Sequence, residues 1–203
     1  MTKRGRPASF DRDEALQQAM QVFWEYGYEG ASMTQLREAM GGLCAPSLYA
    51  AFGSKEALFR EAVARYRSEE SPLWLDSLQQ PTARAAIETM LRNAAICYST
   101  PGKPRGCLID LGGRRGTADS ESVQAYLREC RLDSAERIRQ RLLRGMAEGD
   151  LPATAPVEAL TTFYATVLQG LSVQACDGAT REAMLAVVDC AMGAWQGMVP
   201  ADT

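Results

Sequence analysis

Residues 32–52, SMTQLREAMGGLCAPSLYAAF, constrain this chain more than any other stretch, because they encode two short helices with a glycine stop between them. Ser32 followed by Gln35 has capping-box spacing, in which the serine oxygen accepts from the N3 amide and the glutamine side chain accepts from the cap amide. That spacing predicts a helix starting near Met33. It buries Leu36, Ala39 and Met40, and it stops at Gly41 and Gly42, which tolerate positive φ. A second helix is expected to open at Cys44, Ala45 and Pro46, where the missing proline N–H is no loss. It turns Leu48 and Phe52 inward and leaves Ala45, Ser47, Tyr49 and Ala50 on other faces. Two helices joined by a glycine turn, with small residues outside the second, can enter a DNA major groove.

Charge looks wrong for such a role until its distribution is considered. The 203 residues carry a formal net charge of -3. Lys3, Arg4 and Arg6, however, place three cations and no acid in the first nine residues, and attraction to phosphates needs a basic patch, not a basic protein. The chain contains no histidine, which removes the usual general base and the commonest metal ligand. Its six cysteines form no C-x-x-C pair, which argues against a zinc ribbon and against a disulfide framework. With 46% hydrophobic residues and no run of about 18 apolar ones, the sequence predicts a globular chain without a membrane span. The polar N-terminus lacks the apolar stretch of a secretory signal, so the cytoplasm is the expected location.

Helical periodicity continues on both sides. Asp11 with Glu14 starts a first helix, whose Ala15, Leu16, Ala19, Met20 and Phe23 recur at i, i+3 and i+4, ending near residues 26–30. Gly53 and Ser54 stop the third helix and cap a fourth, which carries Leu58, Ala62, Val63 and Tyr66 inward to residue 72 or beyond. Further helices are expected at 81–98 and 120–148, with an ambiguous apolar run at 107–111. Two closing helices, at about 156–176 and 180–198, are apolar over a wide arc and need a covering surface, which predicts a homodimer interface. The division expected is a DNA-binding unit at 1–66 (recognition helix about 45–51) and an effector-binding and dimerisation unit at 67–203.

The segment 9–66 resembles the TetR family of one-component transcriptional regulators. The likeness is carried by FWEYGYEGAS, SMTQLREAMGG, PSLYAAF and GSKEALFREAV at these spacings, and the leading RGRP is similar to a minor-groove arm. The resemblance implies an all-α fold of about nine helices. It also implies a dimeric repressor on a palindromic double-stranded operator, released by a small-molecule effector. Carried over by position, Ser32, Thr34, Tyr49 and Lys55 match phosphate-contacting residues, while Ala45, Pro46, Ser47 and Ala50 match the base-facing side of the recognition helix. Two departures stand out: the Gly41, Gly42 pair carries one residue more than the usual turn, and Cys44 replaces a serine or asparagine cap. With no arginine on the recognition face, specificity is expected from methyl contacts to thymine, water and DNA shape.

For the effector, Phe163, Tyr164 and Met184 are candidate pocket walls, with ordinary core packing as the competing role. Cys107 follows Lys103, Arg105 and Gly106, and nearby positive charge would lower a thiol pKa. The RGCL run is similar to a segment in a subset of TetR-like regulators, some of which respond to electrophiles or oxidants through cysteine, so redox sensing through Cys107 is the alternative signal, with a buried structural cysteine as the competing role and Cys97 and Cys130 as weaker candidates. No cofactor or metal is expected. An enzyme would need a nucleophile motif or a phosphate loop, and neither is present; a protein-interaction module would have no use for the basic arm with Tyr49 and Lys55.

Overall fold

Asp11 begins the first helix as its position predicts, its carboxylate accepting from the Asp13 and Glu14 amides at 2.8 and 3.2 Å. The computed structural model describes residues 10–113 and 120–199. Among them every regular element is helical: α1 Arg12–Gly30, α2 Met33–Ala39, α3 Ala45–Phe52, α4 Lys55–Ser77, α5 Ala83–Tyr98, α6 Leu108–Leu111, α7 Glu121–Glu148, α8 Val157–Cys176, α9 Arg181–Gly193 and α10 Trp195–Met198. The short α10 continues α9 past Ala194, so the two together correspond to the single closing helix expected at 180–198. The ambiguous run at 107–111 is the single turn α6. Lys3, Arg4 and Arg6 lie outside the described residues.

An aromatic cluster holds the N-terminal helices together. Phe23 of α1 meets Phe59 of α4 edge-on with ring centroids 5.0 Å apart, and Tyr28 closes on Phe59 at 5.1 Å. Met20, Leu36, Leu48 and Leu58 fill the space between, all fully buried, each contributing roughly 1.5–3 kcal/mol by leaving water. Arg12 ties three helices at once: it pairs with Glu61 at 2.8 Å, donates to the Ala51 carbonyl and lies 4.4 Å from the Phe52 ring.

The kink that ends α1 has a definite use. Gly27 adopts φ 70, open to glycine at no cost, and the break frees the Tyr28 amide to donate to the Gly112 carbonyl at 2.9 Å. A second bond crosses the same seam, from the Trp24 indole N–H to the Gly106 carbonyl at 3.0 Å. Both therefore tie α1 to the two chain segments flanking α6. Helix α4 runs unbroken through residue 66 to Ser77, so the boundary proposed from sequence falls inside a helix shared by both parts.

The remainder packs α5 against α4, α8 and α9, with α7 against α8. Buried Arg141 of α7 donates to the Gln80 carbonyl at 3.0 Å and faces Asp150 at 3.6 Å, pinning the far end of α7 to the α4–α5 connection. Outward, α8 presents Ala159, Thr162, Thr166 and Gly170, and α9 presents Ala183, Ala186, Val187 and Cys190, all exposed. No helix among the described residues is long and apolar enough to cross a membrane.

Candidate nucleic-acid interface and effector cavity

The capping box is complete. Ser32 Oγ accepts from the Gln35 amide at 3.1 Å and Gln35 Oε1 accepts from the Ser32 amide at 2.9 Å. Ser32 Oγ acts there as an acceptor, so its hydroxyl proton stays available for a phosphate oxygen. Thr34, one turn into α2, is exposed beside it.

The additional residue in the turn is accommodated by two successive left-handed glycines, Gly41 at φ 81 and Gly42 at φ 76. Arg37 fixes the loop from outside: its Nε donates to the Leu43 carbonyl at 2.7 Å, while its own carbonyl accepts from the Gly42 and Leu43 amides. Met40 and Leu43 are buried beneath. The turn is therefore longer than usual yet anchored, a role for Arg37 that sequence reading missed because an arginine on a short helix reads as surface.

Helix α3 starts at Ala45 with Pro46 in its first turn. Cys44 occupies the cap position without capping; its Sγ lies 3.1 Å from Ser47 Oγ instead. That hydroxyl, with Arg37 nearby, lowers the exposed Cys44 thiol below its ordinary range. Leu48 and Phe52 are buried and hold α3 from behind, while Pro46, Tyr49 and Ala50 are exposed and Ala45 and Ser47 are half-buried. Tyr49 keeps 47% of its surface in solvent, which places it outside the core. Lys55 opens α4 with its Nζ 4.6 Å from the Tyr28 ring centroid, and partial burial lowers its pKa. Ser32, Thr34, Pro46, Tyr49 and Ala50 thus all stand exposed, and Lys55 is half-buried at the start of α4.

A second feature lies behind this unit. A cavity of about 140 Å³ opens where α1, α4, α5, α6, α7 and α8 converge, walled by Trp24, Ala94, Tyr98, Ile138 and Leu168 on apolar sides and by Arg67, Asn93, Asp110, Arg131 and Arg137 on polar ones. Phe163, Tyr164 and Met184 are not among its walls. Tyr164 and Met184 are core residues, Tyr164 meeting Phe163 edge-on and Trp195 at a tilt, which is the competing packing role. The cavity residues escaped the sequence reading because six helices supply them, and because the arginines of α7 read as a solvated face.

Cys107 lines this cavity, and its surroundings favour the structural role over an activated thiol. It is buried, and desolvation, reinforced by the neighbouring Asp110 carboxylate, pushes its thiol up to about 12. Arg105, which was to supply positive charge, points elsewhere, donating to the Ala175 and Ala179 carbonyls. Cys130 is raised by burial too, and Cys97 is half-buried on the cavity wall.

A helix pair with an exposed recognition face, backed by a helical unit enclosing a ligand-sized cavity, defines a helix-turn-helix regulator. The family model for bacterial regulatory proteins of the tetR family matches residues 15–62. HTH-type transcriptional repressor ComR of Escherichia coli strain K12 is 31% identical over 97% of this chain and 94% of its own length. HTH-type transcriptional repressor AcnR of Corynebacterium glutamicum is 30% identical over 90% of each. Among solved structures, a cysteine-substituted mutant of the TetR family transcriptional regulator CifR, complexed with 26-bp double-strand operator DNA, superposes with a TM-score of 0.91 at 51% identity, covering 94% of this chain and 100% of that one. The chain belongs to the TetR family of transcriptional regulators.

Proposed function

We propose that this protein is a cytoplasmic, non-catalytic transcriptional repressor: a homodimer that grips a palindromic operator with its two copies of α3 and lets go when a small molecule occupies the cavity. The observation that carries the reading is the outer row of α3, Pro46, Tyr49 and Ala50 exposed in sequence with Leu48 and Phe52 anchored behind. A helix so mounted presents methyl groups and a phenol to base edges and phosphates, with Ser32, Thr34 and Lys55 on the backbone to either side. Lys3, Arg4 and Arg6 belong in the adjacent minor groove, where arginine meets concentrated negative potential.

Dimerisation fits the outward faces of α8 and α9. Their exposed residues include the small Ala159, Thr162, Gly170, Ala183 and Ala186, and nothing lies within 4 Å of where a Cβ would stand at Gly170 or Gly193, so a partner's helices can approach closely there. Two recognition helices must lie about 34–36 Å apart, or a multiple, to meet successive major grooves on one side of the duplex. A ligand favouring a different separation lowers operator affinity by population shift. The cavity lies against Trp24 of α1 and Tyr66 of α4, both rooted in the DNA-binding unit.

Operator fragments selected from the source genome test this reading by fluorescence anisotropy across a salt series. Affinity is expected to fall steeply with salt. Lys55→Ala should reduce the salt slope by about one, and Tyr49→Ala should weaken binding across all sequences. Unchanged affinity in a protein lacking Arg4, Arg6, Tyr49 and Lys55 together would refute the assignment. Signalling through Cys107 is the less favoured alternative, since a buried thiol near 12 is almost wholly protonated at neutral pH; equal electrophile response in wild type and Cys107→Ser removes it.

A further inference from the structure

The cavity's charge says what kind of ligand it takes. Three guanidiniums reach its wall, from Arg67, Arg131 and Arg137. One carboxylate, Asp133, serves two of them, at 2.6 Å from Arg67 and 3.2 Å from Arg137. Arg131 donates from Nη1 to the Ile109 carbonyl at 2.9 Å. Among the described residues, Arg67, Arg131 and Arg137 on the wall face two carboxylates, Asp110 on the wall and Asp133 paired across it, so three positive charges meet two negative ones. Ala94, Ile138 and Leu168 add apolar wall.

We propose that the cavity binds a small organic monoanion, one carboxylate on a compact apolar body, whose carboxylate takes Arg67 from Asp133. This rests on the effector reading above and gives that effector a chemical class. The volume, about 140 Å³, matches a body of roughly benzene size, since an apolar cavity of about 150 Å³ holds benzene. A cation would meet the excess positive charge, and a neutral apolar ligand would gain nothing from it. The Arg67 and Asp133 side chains keep 36% and 41% of their surface in solvent, so water already screens their pairing and exchanging it costs little. A ligand carboxylate held in the fork of Arg67, shielded by the cavity, makes the better-oriented pair. Arg67 belongs to α4 and Asp133 to α7, so the exchange removes one tie between the helix that begins beside the recognition helix and the helix behind it, while Arg60 of α4 still donates to the Ser122 carbonyl of α7.

The test is calorimetric titration of the full-length protein with benzoate, benzamide and benzylamine, which share a ring and differ in charge. Benzoate is expected to bind at least about tenfold more tightly than either of the others. Asp133→Asn removes the competing carboxylate and should raise benzoate affinity several-fold with benzamide unchanged. Arg67→Gln should erase the preference for benzoate while benzamide still binds; if that variant fails to fold by circular dichroism, Arg67→Lys, which keeps the charge and loses the fork, should narrow it. Benzamide or benzylamine binding as well as benzoate overturns the anion class, as does binding by none of the three; unchanged or lowered benzoate affinity in Asp133→Asn overturns the exchange. The effector reading is judged separately by Ala165→Trp, which fills the cavity: it falls if a small-molecule extract of host cells still releases operator from that variant.

Discussion

The DNA-binding unit and the helices behind it are built on different principles. Among the described residues, every buried polar or charged side chain lies beyond residue 76: Ser77, Ser99, Asp110, Ser120, Arg141, Thr161 and Ser172. Residues 10–66 bury only apolar and aromatic groups, closed by the Phe23, Tyr28 and Phe59 cluster. A close-packed apolar core has one good arrangement and transmits force as a solid. The interior beyond residue 76 is mostly apolar too, but it is interrupted by polar groups such as Arg141, which faces Asp150, and ion pairs of this kind can exchange partners where apolar packing cannot. The contrast assigns rigidity to the part that must match DNA and adaptability to the part that must answer a ligand.

The strongest way to break that contrast is to hollow out the rigid half. Phe23→Ala should cost about 3–5 kcal/mol and abolish operator binding, while α8 and α9 keep the protein dimeric by sedimentation; loss of the dimer as well would mean the two halves do not unfold separately. Next, Gly42→Ala forces a side chain to φ 76, which costs on the order of 1–2 kcal/mol. It should lower operator affinity and leave ligand affinity in the cavity untouched by titration.

Alkaline pH probes the other half. Burial raises Tyr98, Cys107 and Tyr164, the last two to about 12. The unfolded thiol ionises above its ordinary 9.0 while the folded one stays neutral to about 12. Stability is therefore full below pH 9 and declines as pH climbs from 9 to 12. Cys107 alone should remove about 1 kcal/mol between pH 9 and pH 10, and denaturant midpoints of Cys107→Ala should show a correspondingly shallower slope. The smallest expected effect is Ser32→Ala, which deletes half of the capping box and should cost about 0.5–1 kcal/mol, read as a few degrees in thermal unfolding with a modest loss of operator affinity.

The same contrast explains what was legible in the sequence. Capping, glycine stops and helical spacing are local signals, so the limits of α2 and α3 and the inward set Leu36, Leu48 and Phe52 could be read directly. The cavity could not, because Trp24, Arg67, Tyr98 and Arg131 meet only through tertiary packing. Cys107 was open to two readings for a related reason: the basic residues before it are visible in sequence, whereas the burial that raises its thiol, ahead of Asp110, comes from tertiary packing. Likewise, Arg37 and Arg12 read as surface charges until the groups they fasten are seen.

The hydrogen bond from the Trp24 indole to the Gly106 carbonyl has a practical corollary. This tryptophan lines the cavity and sits on the junction between α1 and α6, so once Trp74 and Trp195 are replaced by phenylalanine its emission colour and intensity register both a guest arriving and the junction loosening. The protein carries its own optical gauge of induction, which needs no added dye and no DNA to be read.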